Sequence, residues 1–120
     1  NKISKKTIFS FNPHLIPSFR GILSSIYLTK KNSVTVNKIT NTLKSFYKKN
    51  FFIKILKANT EIGTGNIINT NNCNISVCET RIKNKIVIFS AIDNLIKGAA
   101  GQAIQNMNIL YNHKESLGLK

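Results

Sequence analysis

Apolar and polar residues along this 120-residue chain follow two periods, and the switches between them mark out the elements. Thr7-Ile8-Phe9-Ser10-Phe11 alternates like a strand and is closed by Pro13 and Pro17, which cannot donate to a ladder. A second strand is expected from Gly21 to Thr29, where "GILSSIYLT" is rich in β-branched and aromatic residues. Val36, Ile39, Leu43, Phe46 and Tyr47 then recur at helical spacing, with Lys38, Lys44, Lys48 and Lys49 on the opposite side and Ser33 or Thr35 placed to cap the start. Strands follow at Phe51 to Leu56, briefly at Asn66 to Ile68, and at residues 73–78 and 84–92, the last two joined through "ETRIKNK". In "KIVIFSAI" both alternating faces are apolar, the mark of a central strand covered on both sides. A helix over residues 98–112 ends the pattern. The order of strands and helices predicts an α+β domain whose helices gather on one face of the sheet.

Length and a 42% hydrophobic content suit one domain with a single core. The longest apolar run, Ile86 to Phe89, is far too short to cross a bilayer, and no secretory leader pattern opens the sequence, so a cytoplasmic protein without a membrane partner is expected. The chain begins with Asn1 rather than Met, as a piece of a longer polypeptide would.

The formal charge of +14 points first to nucleic acid. Composition weakens that inference, because Asn, Ile and Lys number 17, 19 and 16, and these are the residues that A+T-rich codons favour. Of the basic residues only Arg20 and Arg81 have the planar fork suited to bidentate phosphate and base contacts. Tyr27, Phe46, Tyr47, Phe51 and Phe52 sit at spacings expected of a core rather than of a stacking platform. A small basic nucleic-acid-binding domain is the alternative reading, and no sequence-specific nucleic-acid partner is expected.

Cys73 and Cys78 are an odd number of residues apart, so on one strand they point to opposite faces and cannot share a metal. His14 and His113 have no ligand spacing with them, and no metal site is expected.

The stretch "DNLIKGAAGQAIQNMN", residues 93–108, raises a sharper question. Asp93 or Asn94 can cap a helix whose first turns, Gly98, Ala99, Ala100 and Gly101, carry no bulk, and Gly costs about 1 kcal/mol relative to Ala inside a helix. The bare surface serves either tight packing or the close approach of a ligand, for which a helix N-terminus offers N–H groups and partial positive charge.

"SAIDNLIKGAAGQAIQNMN" followed by "ESLGL" resembles the C-terminal end of the N-acetyl-gamma-glutamyl-phosphate reductases, enzymes of arginine biosynthesis, and "NPHLIPSFRGILSSIY" and "NTNNCNISV" resemble two further segments of that family in the same order. The resemblance runs from about Phe9 to Leu119. It implies an NADP-dependent reductase of acyl phosphates, acting on N-acetyl-glutamyl phosphate. It also implies a mixed, mostly antiparallel sheet with helices on one face, as in the C-terminal catalytic domain of glyceraldehyde-3-phosphate dehydrogenase-like enzymes. In such enzymes a Cys attacks the acyl phosphate and a hydride then releases the semialdehyde.

No G-x-G-x-x-G turn occurs here, neither Cys73 nor Cys78 lies in the family's nucleophile segment, and its His-Arg-His motif is missing. Residues 1–120 are therefore expected to be a partial C-terminal catalytic and dimerisation domain without its Rossmann NADP-binding domain or its catalytic pair, part of a homo-oligomer when full-length. By the same resemblance Asn94 meets the nicotinamide carboxamide, with Gly98 and Ala99 allowing the approach. Arg20 either steadies a substrate phosphate or carboxylate or is a structural residue at a strand start, His14 faces the substrate cleft or holds a turn, and Lys97 is an anion contact or a solvated residue.

Overall fold

The computed structural model describes residues 8–120. Four strands form one sheet in the order β1-β4-β3-β2: β1 (Ile22–Thr29), β2 (Ile53–Ile55), β3 (Cys73–Glu79) and β4 (Lys85–Ile92). β4 pairs antiparallel with both β1 and β3, and β2 runs parallel to β3, so the sheet is mixed and mostly antiparallel. Two helices, α1 (Val36–Phe46) and α2 (Gly101–Leu110), complete the α+β architecture.

The central position of β4 agrees with its apolar alternation, and Ile86, Val87 and Ala91 are buried in it. The registers Val77↔Ile88 and Tyr27↔Val87 fix the two faces of the sheet. On one, Val36 of α1 packs with Val77 and Ile86, supported by Ile39, Leu43 and Ile88. Thr35 caps this helix, its hydroxyl oxygen accepting from the Lys38 N–H at 3.1 Å. The turn leading into α2 touches Ile92 on the same face, so both helices lie on one side. Cys73 and Cys78 point to opposite faces, as their spacing requires.

The parallel pair β2–β3 needs a crossover, and residues 56–72 supply it. The Thr60 carbonyl accepts from the Ser76 hydroxyl at 2.6 Å on the face away from the helices. Ile67 is fully buried within this crossover.

Three expectations change. Thr7 lies outside the described residues, and residues 8–11 form no strand: nothing described pairs with them, and Ile8, Phe9 and Phe11 stand in the open. The short strand at 66–68 is replaced by a 3-10 turn, Thr64–Asn66, flanked by Gly63 and Ile67. Of the aromatics expected in the core only Phe52 is buried. Tyr27, Phe46 and Phe51 are exposed and Tyr47 is half-buried: Tyr27 lies on the edge strand β1, and Phe46 and Tyr47 at the last turn of α1 pack edge-on against each other.

Candidate functional site

β4 ends where the sequence turns polar, and the side chain that follows organises the whole corner. Asp93 is fully buried and is held by five donors. Arg20 clasps it in a bidentate pair, Nε to Oδ1 at 3.0 Å and Nη2 to Oδ2 at 2.8 Å. The backbone N–H groups of Leu95 and Ile96 donate to Oδ1 at 2.9 and 3.2 Å, and that of Asn69 donates to Oδ2 at 2.8 Å. Burial alone pushes the carboxyl pKa up, but the Arg20 guanidinium and these three N–H groups outweigh it and hold the group below the ordinary carboxylate value. Asp93, not Asn94, is therefore the cap of the helical segment.

Asn94 does different work. Its Oδ1 accepts from the Gly21 N–H at 2.7 Å, which fixes which end of the amide is oxygen. Its Nδ2 has no hydrogen-bond partner among the described residues, so a half-buried donor is left at the corner. Gly21 has φ +105°, a conformation that favours glycine, and a Cβ there would lie 2.5 Å from the Thr64 Cβ. Arg20 and Gly21 thus pin the start of β1 to the end of β4 through Asp93 and Asn94.

The bare turn is a π-helical segment, Ile96–Ala100, with i to i−5 bonds from the Gly98 N–H to the Asp93 carbonyl at 3.0 Å and from the Ala100 N–H to the Leu95 carbonyl at 3.2 Å. Its two glycines differ. A Cβ at Gly98 would meet nothing closer than the Ile92 Cδ1 at 3.6 Å, whereas one at Gly101 would drive into the Asn71 side chain and the Ile96 Cγ2. Tight packing explains Gly101; Gly98, Ala99 and Ala100 leave an open surface beside Asn94.

α2 has an inverted distribution of polarity. Gly101, Gln105 and Asn108 are its buried residues, while Met107, Ile109 and Leu110 are exposed. Asn71 donates to the Gln105 Oε1 at 2.9 Å, Lys97 Nζ reaches the same oxygen at 2.6 Å, and Gln105 donates to Glu115. Asn108 donates to the carbonyls of Glu115 and Leu117 at 3.2 and 2.9 Å, tying down the C-terminal tail. Of the Asn and Gln residues that read oddly for a surface helix, Gln105 and Asn108 form its inward face, while Gln102 donates to Asn106 on the exposed side. Lys97 is half-buried over the Phe52 ring at 5.5 Å; burial draws its pKa down, against the pull of Cys73 and Glu115.

His14 lies elsewhere, exposed on the segment before β1, with Nδ1 2.9 Å from the Asn12 carbonyl. Asn94, Gly98 and Ala99 share one corner with Arg20, but the Arg20 fork is turned inward onto Asp93. Sequence reasoning missed that pair and the Asn71–Gln105–Asn108 network. A signal for the first was available: Asp93 is one of four carboxylates and Arg20 one of two arginines in a chain that is otherwise lysine-rich.

A family model described as semialdehyde dehydrogenase, dimerisation domain, matches residues 1–94. Among curated relatives, the N-acetyl-gamma-glutamyl-phosphate reductase of Clostridium botulinum (strain Eklund 17B / Type B) is 46% identical over 119 residues, which is 99% of this chain and 35% of that protein. Those of Halothermothrix orenii and Thermoanaerobacter pseudethanolicus are 44% and 42% identical over 98% and 96% of this chain, and 34% and 33% of their own lengths. The chain spans about a third of the length of these relatives.

Proposed function

The chain belongs to the semialdehyde dehydrogenase dimerisation-domain family, and from that premise we propose that it is the C-terminal catalytic and dimerisation part of an N-acetyl-gamma-glutamyl-phosphate reductase. In this reading the full-length protein converts N-acetyl-glutamyl phosphate to its semialdehyde with NADPH, and works as a homo-oligomer in the cytoplasm. The nicotinamide cofactor supplies a hydride when bound; the residues of this chain bind and orient. In this reading the nucleophilic thiol belongs to another part of the protein; Cys73, 3.4 Å from the Ser90 hydroxyl, and Cys78, 3.7 Å from the Thr60 carbonyl, lie on opposite faces of the sheet.

The observation that carries the reading is the set of exposed apolar residues on α2, the helix that follows Asn94 and the bare turn. A helix that buries Gln105 and Asn108 while exposing Met107, Ile109 and Leu110 suits a seat against another body, here the Rossmann domain that holds the cofactor. The corner fits a nicotinamide carboxamide through one group: Asn94 Nδ2 can donate to the carboxamide oxygen, its Oδ1 being engaged by Gly21. Gly98 and Ala99 leave room beside it. Arg20 is a positioning residue that acts through Asp93, and His14 is the group of this chain assigned to the substrate side.

The test uses the full-length protein and NADPH oxidation driven by N-acetyl-glutamyl phosphate. Asn94→Asp keeps an acceptor for the Gly21 N–H and removes the donor, so the melting temperature should hold while the KM for NADPH rises about tenfold, the loss of one hydrogen bond worth roughly 1.4 kcal/mol. Asn94→Ala should lose both. Absence of acyl-phosphate-dependent oxidation in the unmodified protein would overturn the reading, and unchanged kinetics in Asn94→Asp would reduce Asn94 to a clasp for β1.

A further inference from the structure

Asn71 is fully buried just before β3, and each of its polar groups meets a different part of the chain. Its backbone N–H donates to the Lys120 carbonyl at 2.6 Å, and its Nδ2 donates to the Gln105 Oε1 at 2.9 Å. Its Oδ1 stands against Gly101 and has no hydrogen-bond partner among the described residues. A buried carbonyl oxygen without a donor is destabilising, and a leucine of similar volume would avoid it. What the asparagine adds over leucine at this position is the Nδ2 donor, so the tie to Gln105 is the property that distinguishes it.

That tie joins both walls of the Asn94 corner. On one side Asn69, two residues before Asn71, has a left-handed φ of +63° and donates its N–H to Asp93 Oδ2 at 2.8 Å. Thr70 leaves the turn between them no slack, its hydroxyl donating to the Ile67 carbonyl at 2.8 Å and accepting from the Asn72 N–H at 3.3 Å. Asp93 passes the constraint to Arg20 and so to Gly21, whose N–H orients the Asn94 amide. On the other side, the Gln105 Oε1 that receives Asn71 also receives Lys97 Nζ at 2.6 Å, and Lys97 leads directly into Gly98 and Ala99 of the bare turn. A shift of Asn71 is therefore felt at the Asn94 donor and at the open surface beside it.

We propose that Asn71 is a positioning residue for the nicotinamide carboxamide, setting the spacing between the Asn94 amide and the Gly98–Ala99 surface through its bond to Gln105. The proposal rests on the reading of this corner as the cofactor contact. Asn71 itself has no accessible surface and touches neither cofactor nor substrate. A misplacement of about 1 Å can impair a site whose own groups are all intact. A bond that only positions shows itself in cofactor use and loses its effect when the positioned donor is absent, which coupling between two substitutions measures.

Kinetics of NADPH oxidation with N-acetyl-glutamyl phosphate in the full-length protein, beside melting temperature, test this. Asn71→Leu keeps the volume, removes the unpartnered oxygen and breaks the tie. It should melt at or above the wild-type temperature, while the KM for NADPH rises about fivefold and that for the acyl phosphate holds. Gln105→Met breaks the same tie from α2 and should raise the KM for NADPH at least as much. In an Asn94→Asp background the positioned donor is gone, and Asn71→Leu should add less than about twofold. An unchanged KM for NADPH in either variant that folds, or loss of folding in both, overturns the proposal. So does a full fivefold effect on top of Asn94→Asp, or a parallel rise in both KM values with a lower melting temperature. Wild-type protein that does not oxidise NADPH with the acyl phosphate sinks the reading of the corner, whereas an active wild type with indifferent variants sinks only the role of Asn71.

Discussion

Two regions of the molecule spend charge in opposite ways. At the end of β4 a single carboxylate, Asp93, gathers an arginine 73 residues away, a backbone donor 24 residues away and two more from the turn that follows it. Between residues 30 and 60, eight lysines occur with no Asp or Glu among them. The first region has one negative charge and is wired shut; the second has eight positive charges and little for them to hold beyond contacts such as Lys54 with the Phe51 carbonyl and ring. Charge count marks composition, whereas the number of partners per charge marks the part of the fold that is specified.

The sharpest way to break this contrast is Asp93→Ala. Arg20 retains some contact with water and can turn outward, but the N–H groups of Asn69, Leu95 and Ile96 lose their acceptor and β1 keeps only its Gly21–Asn94 clasp. Breaking a buried, hydrogen-bonded ion pair costs about 3 kcal/mol or more, so urea denaturation should show the largest loss of any single substitution here. The pH dependence has a fixed sign. The folded-state pKa of Asp93 lies below its unfolded value, so its stabilisation is complete above about pH 4 and is lost as the pH falls towards the folded pKa. Asp93→Asn should flatten that acid limb. An unaltered acid limb would show that the pair is formed without contributing.

An intermediate effect separates the two glycines of the π-helical junction. Gly101→Ala forces a methyl into Asn71 and Ile96 and should cost about 1–3 kcal/mol, the range for overpacking a filled site. Gly98→Ala meets only ordinary contact distances and should be neutral or stabilising by up to about 1 kcal/mol. Thermal melts of the two variants decide it, and equal losses would mean that the helix entry, rather than packing on Asn71, sets the requirement.

Local pattern made much of this legible. β1, α1, β3 and β4 lie within a residue or two of where alternation and helical spacing place them, because one face of each period is apolar and the period itself names the element. Residues 8–11 show the limit: an alternating "IFSF" states that a strand is possible, and pairing depends on a neighbour that pattern cannot see. α2 shows a second limit. Its existence was readable, its orientation was not, since apolar residues normally turn inward and here Gln105 and Asn108 do, drawn by Asn71 and by the carbonyls of the C-terminal tail. At the site, Asn94 and the bare turn were singled out from sequence, yet the Arg20–Asp93 pair joins elements that only the sheet order brings together.

The smallest effects belong to the lysine-rich side, and they sharpen the comparison most cheaply. Lys44, Lys48 and Lys54 line a shallow basin with Tyr47 and Phe51 at the α1–β2 corner, an arrangement that could receive a polyanion. If these charges are compositional, each is a solvated side chain and Lys48→Gln should change stability by less than about 0.5 kcal/mol. Binding to DNA should be weak and insensitive to sequence, and should collapse between low and physiological salt, because released counterions supply nearly all of its free energy. Removing Lys44, Lys48 and Lys54 together should then lower the low-salt affinity and shrink the slope of log K against log salt, while the melt stays near wild type. The discriminating outcome is binding that persists at physiological salt with a preference for one sequence: exposed Phe46 and Phe51 would then be stacking on bases, and the eight unpaired lysines would be as specified as the one buried aspartate.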